Sequence, residues 1–178
     1  MARTAEQRRV DRIEDAIQKD EWKKARALIR DWLREDPKDH WLLSRLALTY
    51  YEQHQYKKAI HFEVKALQIE PYCPWSVWGY ASALEMLGEA SKASMVFRWL
   101  VSWGEDYLAE DPCVGGVRLA RSLIADCHYR IAGILVEMHQ WKRAKTAFEQ
   151  HFALRRKGAH STYPLKEVQR EYKKLLAR

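Results

Sequence analysis

Residues 40–71, HWLLSRLALTYYEQHQYKKAIHFEVKALQIEP, contain two short segments in which apolar residues recur at helical spacing. In the first segment, for example, Leu46 and Tyr50 are four residues apart and therefore share one face of a helix. A polar break at residues 52–55 separates the segments. Pro71 ends the second one, because proline lacks the backbone N–H that a helix interior needs. The stretch therefore predicts two short helices packed back to back.

The pattern of this stretch returns with a fixed period along the chain. Ala25, Ala59 and Ala93 are each separated by 34 residues, and Trp22 recurs 34 residues later as Tyr56. A period of this length is typical of stacked helix-turn-helix units, none of which can bury its apolar face alone. We therefore predict an all-α fold, an α-α superhelix of stacked helix-turn-helix repeats with a C-terminal capping helix.

The repeating unit resembles the tetratricopeptide repeat (TPR) family. At six positions of the unit, that family's pattern expects large, large, aromatic, small, small and proline residues. Those positions are held here by Leu46, Tyr50, Tyr56, Ala59, Ala66 and Pro71. The resemblance implies a single TPR-like domain over residues 1–178. Its approximate units are 6–39, 40–73, 74–105 and 122–156, with an insertion at 104–121 and a capping helix at 163–178.

Two segments depart from the regular repeat. The step from Ala93 to Ala144 is 51 residues, which exceeds one period by 17 and marks the insertion. After glycine and proline turns, residues 117–139 predict one unusually long helix, which we expect to cover the third unit. The basic and amphipathic residues 163–178 have the composition of the polar cap that a repeat array needs at an open end.

The chain has a net charge of +7, and its composition predicts a cytoplasmic protein. No apolar run approaches the roughly 20 residues of a membrane span, and residues 1–6 lead into a charged helix without the apolar core of a signal peptide. The three cysteines, Cys73, Cys113 and Cys127, have no paired spacing, which favours reduced thiols inside a cell. No membrane partner is predicted.

The sequence carries no motif for catalysis, and we predict a protein that is not an enzyme and has no cofactor or metal. Gly115 and Gly116 lack the lysine and hydroxyl residue of a phosphate-binding loop. Cys127 and His128 are adjacent, so on a helix they project about 100° apart and cannot act on each other as nucleophile and base. The histidines lack the spacings that place two metal ligands on one helical face.

The resemblance implies a concave groove lined by the first helix of each unit, with the residues between core positions facing the ligand. Aromatic residues and two arginines dominate that set. The implied groove residues are Trp41, Arg45, Leu48, Tyr51, Trp75, Trp78, Ser82, Tyr129 and Arg130. Arginine and aromatic residues are enriched at interaction hot spots, and arginine can hold a carboxylate through paired hydrogen bonds. We therefore predict a scaffold or adaptor that binds a peptide or helix of a partner protein, with a chaperone as one special case. The alternative is that the inserted segment or the C-terminal helix fills the groove.

One class of ligand is not predicted. Family members that grip the acidic C-terminal tails of chaperones use a clamp of lysines, asparagines and arginine on successive groove helices. The matching positions hold Val10, Glu14, Arg45, Trp75 and Gly79, and only Arg45 is a cation. The resemblance therefore does not imply recognition of chaperone tails.

The positive charge is concentrated near the C-terminus, where residues 151–178 carry 8 basic and 2 acidic side chains. The predicted basic patch consists of Arg155, Arg156, Lys166, Arg170, Lys173 and Lys174. Such a patch favours, as an alternative function, binding of nucleic acid or an acidic partner. The solvated face of a capping helix has the same composition. A third hypothesis is a homo-oligomer formed through the apolar face of a terminal unit.

Overall fold

The structure is a computed structural model that describes residues 4–178. Within these residues the regular elements are ten helices and no strands, which confirms the predicted all-α repeat fold. The helices are α1 (Ala5–Gln18), α2 (Trp22–Glu35), α3 (His40–Tyr51), α4 (Tyr56–Ile69), α5 (Pro74–Met86), α6 (Ala90–Ser102), α7 (Glu105–Glu110), α8 (Val117–Glu137), α9 (Trp141–Arg156) and α10 (Leu165–Leu176). In this part of the chain, every helix is too short or too polar to cross a membrane. Residues 1–3, which belong to the N-terminal segment used to predict the cellular location, lie outside the described part.

The turn between the two helices of a pair repeats with the sequence period. Asp20, His54 and Gly88 lie 34 residues apart, and all three have positive φ, as does His139 between α8 and α9. In each of these turns the next residue donates its N–H to the carbonyl oxygen five residues earlier, at 2.8–2.9 Å. This bond satisfies a carbonyl group that the end of the helix leaves without a partner. The backbone therefore shows the same period as the residue pattern.

Contacts divide the chain into two compact units, Met1–Ala83 (unit 1) and Leu84–Arg178 (unit 2). In unit 1, α1 packs against α2, α2 against α3, and α3 against α4. Its core residues are Ile13, Ile29, Leu42, Leu46, Tyr50, Ala59 and Ala83. Tyr50 of α3 stacks on Phe62 of α4, with the ring centroids 5.4 Å apart. The small side chain of Ala59 is fully buried, which lets α3 and α4 approach closely.

Unit 2 is built around α8, a single helix of 21 residues as the sequence predicted. Helices α6, α7 and α9 all pack against α8, and α10 packs against α9. The largest fully buried side chains of this unit include Phe97, Leu108 and Phe148. The inserted α7 is tied to α8 by Arg121, whose guanidinium donates to the Glu105 carboxylate at 2.9 Å. The prediction that residues 1–178 form one domain stays a prediction.

Candidate functional site

The predicted groove residues of unit 1 lie on α3 and α5, next to positions that belong to the core. Six of them are half-buried, namely Trp41, Arg45, Leu48, Tyr51, Trp75 and Trp78. The seventh, Ser82, is buried, and its hydroxyl makes no hydrogen bond within residues 4–178. The neighbouring core residues Leu42 and Val77 are fully buried. Each helix therefore alternates core side chains with large apolar side chains that remain partly accessible.

Arg45 is already paired within unit 1. Its Nε lies 2.7 Å from Oε1 of Glu14 on α1, and its guanidinium lies 5.4 Å from the ring centroid of Trp41. The side chains of the ion pair are 31% and 41% exposed. Exposed ion pairs contribute roughly 0–1 kcal/mol, but Nε of Arg45 and Oε1 of Glu14 are themselves buried atoms. Part of the Arg45 side chain is therefore accessible beside a buried ion-pair contact.

A buried carboxyl group that the sequence analysis did not single out lies between α3 and α5. Glu63 of α4 is 3% exposed. Its Oε1 accepts a hydrogen bond from Ser44 Oγ at 3.3 Å, whereas its Oε2 has no hydrogen-bond partner within residues 4–178. Burial raises the pKa of Glu63 well above its usual value, although the hydrogen bond from Ser44 and the charge of Arg45 favour the ionised form. A Cβ at Gly79 of α5 would lie 2.1 Å from Glu63 Oε1. A glycine inside a predicted helix was the signal that could have revealed this close approach.

The predicted groove residues of unit 2, Tyr129 and Arg130, are partly covered by the unit's own C-terminal segment, and with α10 they line a cavity of about 300 Å³. Nε of Arg130 lies 2.7 Å from Glu85 Oε2, and Arg130 also donates to the Tyr163 hydroxyl at 3.1 Å. The Tyr129 ring centroid is 4.3 Å from that of Tyr163. The side chains of Arg130 and Glu85 are only 13% and 23% exposed. Burial raises the pKa of Glu85 despite Arg130, and it raises the pKa of Tyr163 to about 12.

The loop before α10 is fastened to α8 by hydrogen bonds. Oδ2 of Asp126 accepts from both the N–H of Thr162 at 3.1 Å and its hydroxyl at 2.8 Å. The hydroxyl of Ser122 accepts from the N–H of His160 at 2.9 Å. Because Asp126 and Ser122 are buried, these bonds hold the loop against the helix rather than at the surface of the unit. The segment that covers Arg130 is therefore an ordered part of unit 2.

Comparisons with solved structures agree on the fold. No family model matches the sequence, and no curated protein matches it. Among solved structures, MamA from Desulfovibrio magneticus RS-1 has 14% identity, with 95% of this chain and 92% of that chain covered, at a TM-score of 0.65. The first TPR domain of Spaghetti (RPAP3), bound to the HSP90 peptide SRMEEVD, has 20% identity, coverages of 80% and 94%, and a TM-score of 0.58.

A tetratricopeptide repeat protein from Parabacteroides merdae has 15% identity, coverages of 94% of this chain and 70% of that chain, and a TM-score of 0.50. The chain has the tetratricopeptide-repeat fold. At these identities the likeness concerns the fold, and the surfaces of this chain have to be considered residue by residue.

The structure divides the predicted basic patch into two groups. Arg155 and Arg156 at the end of α9 and Lys173 of α10 line one cavity of about 770 Å³. Of the other three, Lys174 and Arg170 lie 3.0 Å and 3.4 Å from the carboxylate of Glu171. Lys166 is exposed and does not line that cavity. The cavity therefore gathers three of the six predicted cations.

An apolar stripe on the second helix of the third TPR pair was missed by the sequence analysis, which considered only first helices. Met95, Trp99, Trp103 and Tyr107 follow one another at intervals of four residues, from α6 into α7. Met95, Trp99 and Tyr107 are 59%, 44% and 49% exposed. The ring centroids of Trp99 and Trp103 are 4.8 Å apart, and those of Trp103 and Tyr107 are 5.9 Å apart. The spacing of four was the available signal.

Proposed function

We propose that this protein is a non-catalytic scaffold that binds a peptide or helix of a partner protein on the α3–α5 face of unit 1. The observation that carries the proposal is the set of half-buried tryptophans on these two helices, Trp41, Trp75 and Trp78. The TPR fold supports it, because a solved domain of this fold is bound to a peptide.

Tryptophan suits such a role for a physical reason. Each indole ring offers a large apolar area and only two side-chain torsions to order, so binding loses little conformational entropy. Arg45 lies beside Trp41 and can hold one carboxylate of the ligand in a defined orientation. The ligand that fits is therefore a segment with large apolar anchors and a single acidic residue.

A ligand with a run of acidic residues does not fit this face. Glu14 already contributes a carboxylate beside Arg45, and a second and third carboxylate would find no further cation at the matching positions. We expect the peptide SRMEEVD, which is bound to the RPAP3 domain, not to displace a partner from unit 1 of this chain.

A pull-down from a lysate of the source cells, run with and without nuclease treatment, tests the proposal. The bait is the full chain, compared with the double variant Trp78→Ala/Arg45→Ala at two salt concentrations. The matched control is Trp99→Ala/Arg98→Ala, which removes the same two residue types from exposed positions on α6. Circular dichroism verifies that each variant is folded.

We expect the wild type and the control to capture a protein at both salt concentrations. The α3–α5 variant should not capture it. Capture by both variants would contradict it. Loss in the control alone would assign binding to the stripe on α6 and α7. Disappearance of all captured material after nuclease treatment or at high salt would instead favour binding of nucleic acid or a polyanion through the basic residues.

A further inference from the structure

Helix α10 has the residue pattern of the first helix of a repeat, but within residues 4–178 the corresponding face is covered only in part. In α3 the pattern occupies positions i, i+3, i+4 and i+7 and consists of Leu43, Leu46, Ala47 and Tyr50. In α10 the same four positions hold Leu165, Val168, Gln169 and Tyr172. The two helices therefore differ mainly at the third position, where glutamine replaces a small residue.

The burial of these positions differs sharply between the two helices. All four residues of α3 are at most 8% exposed, and α3 packs against both α2 and α4. On α10, Leu165 is 39% exposed, Gln169 is exposed and Tyr172 is half-buried, whereas Val168 is fully buried. The Tyr172 ring lies 5.6 Å and 5.4 Å from the rings of Phe148 and Phe152, so α9 covers part of this stripe. Within residues 4–178 the remainder, at Leu165 and Gln169, stays exposed.

The partly covered face of α10 forms one wall of the 770 Å³ cavity already described. The other walls are the last turns of α9 and the loop at residues 158–161. Phe152, Leu165 and Tyr172 supply its apolar surface. A cavity of this volume is within the usual range of ligand-binding clefts, which span roughly 300–1,000 Å³.

The charge of the cavity is of one sign. Arg155, Arg156 and Lys173 line it, and none of the described residues that line it is acidic. Arg155 donates to the carbonyl oxygen of Tyr163 at 2.8 Å, and Arg156 and Lys173 form no ion pair within residues 4–178. Cations without a counter-charge beside an apolar floor favour a ligand that combines apolar and acidic groups.

We propose that the cleft between α9 and α10 docks an acidic amphipathic helix of a partner protein, in the position on α10 that α4 occupies on α3. The apolar side of that helix contacts Leu165 and Tyr172, and its acidic side chains reach Arg156 and Lys173. This is the helix-in-groove mode of recognition, in which apolar residues at helical spacing anchor one face. The cleft uses residues of unit 2 and is separate from the α3–α5 face.

The chain itself supplies a probe for this cleft. A peptide with the sequence of residues 56–69 carries the apolar face that covers α3, and its Lys57, Lys58 and Lys65 are exposed in α4. Replacing these three lysines with glutamate gives an acidic peptide with the same packing face. The unchanged peptide is the matched control of opposite charge.

Fluorescence anisotropy of the labelled peptides with the full chain provides the test. The acidic peptide is expected to bind at least about tenfold more tightly than the unchanged one, and more weakly as salt is raised.

Arg156→Glu/Lys173→Glu should weaken binding about tenfold or more, and Leu165→Glu should abolish it. The control Lys142→Glu/Arg143→Glu makes the same charge change at exposed positions at the other end of α9 and should have little effect. Trp78→Ala should also leave the affinity unchanged, which separates this proposal from the proposed function.

Four results would overturn the proposal. They are equal binding of the two peptides, no binding of either at about millimolar peptide, the same loss in the Lys142/Arg143 control, and binding that Leu165→Glu leaves intact. Sedimentation of the chain alone tests whether a second copy of the chain occupies the cleft. A dimer that Leu165→Glu converts to a monomer would show that the cleft is an interface between two copies. A single-stranded oligonucleotide that binds in a manner lost in Arg156→Glu/Lys173→Glu but kept in Leu165→Glu would assign the cations to nucleic acid.

Discussion

Arg45 in unit 1 and Arg130 in unit 2 make the same kind of ion pair in different surroundings. Each Nε lies 2.7 Å from a glutamate oxygen on an earlier helix, Glu14 in one case and Glu85 in the other. The Arg45 side chain is 31% exposed, whereas that of Arg130 is 13% exposed and is covered by Tyr163. The side chains of the pair in unit 2 are therefore less exposed than those of the pair in unit 1, because the C-terminal segment covers part of Arg130. Accessibility, rather than residue type, distinguishes a candidate binding cation from a structural one.

The largest expected effect is that of Arg130→Ala. Removal of one partner leaves Glu85 partly buried without its counter-charge and Tyr163 without its donor. Breaking a fully buried pair costs roughly 3–5 kcal/mol, and the residual exposure of this pair lowers our expectation to about 2–3 kcal/mol of unfolding free energy. Urea denaturation followed by tryptophan fluorescence measures it, with the exposed Arg98→Ala as control. A loss below about 1 kcal/mol would mean that Arg130 is as dispensable as a surface residue.

Asp126→Ala is expected to lower the unfolding free energy less than Arg130→Ala. Its effect should be greatest in the loop at residues 157–164, which contains Tyr163. The substitution leaves the N–H and hydroxyl of Thr162 without their acceptor, and a lost hydrogen bond of this kind costs about 1–3 kcal/mol. Hydrogen exchange followed by mass spectrometry should show faster exchange of the amides at residues 157–164 and unchanged exchange in α3 and α4. Unchanged exchange in the loop would show that other contacts hold it.

The sequence predicted the helix pairs, which follow the repeat. It did not predict the contact between Arg130 and Tyr163 or the burial of Glu63. The period of 34 residues gave the helix pairs, because each pair must bury the same apolar positions. The contact between Arg130 and Tyr163 lies outside that period, since Tyr163 belongs to a loop with no counterpart in the other units. Glu63 was missed for a different reason. A glutamate among helical positions is normally solvated, and only the neighbouring Gly79 creates the space that buries it.

The titrations of Glu63 and His128 should contribute opposite pH dependences to the stability of the chain. Burial raises the pKa of Glu63 well above 4.5, so its contribution to stability is present below pH 4.5 and is lost as the pH rises through the raised pKa. Burial and the nearby His151 lower the pKa of His128 from 6.5 to about 4. Its contribution is therefore present above pH 6.5 and is lost as the pH falls towards 4.

Carbon-13 NMR titration of the full chain measures both midpoints, with Glu63→Gln and His128→Gln used to assign the signals. A Glu63 midpoint near 4.5 would show that water reaches its carboxylate. A His128 midpoint near 6.5 would show that water reaches the imidazole ring of His128.

The smallest expected effect on stability is that of Arg45→Gln, and this makes it the sharpest test of the contrast with Arg130. The half-exposed pair with Glu14 and the contact with the Trp41 ring together contribute about 1 kcal/mol or less to unfolding free energy. Because the charge of Arg45 lowers the pKa of Glu63, the substitution should raise the Glu63 midpoint further in the same NMR titration. A stability loss as large as that of Arg130→Ala would show that Arg45 is a structural residue and is not available to a ligand. A small loss combined with the shifted midpoint would leave Arg45 as an accessible cation beside a buried carboxyl group, which is the arrangement that the α3–α5 face requires.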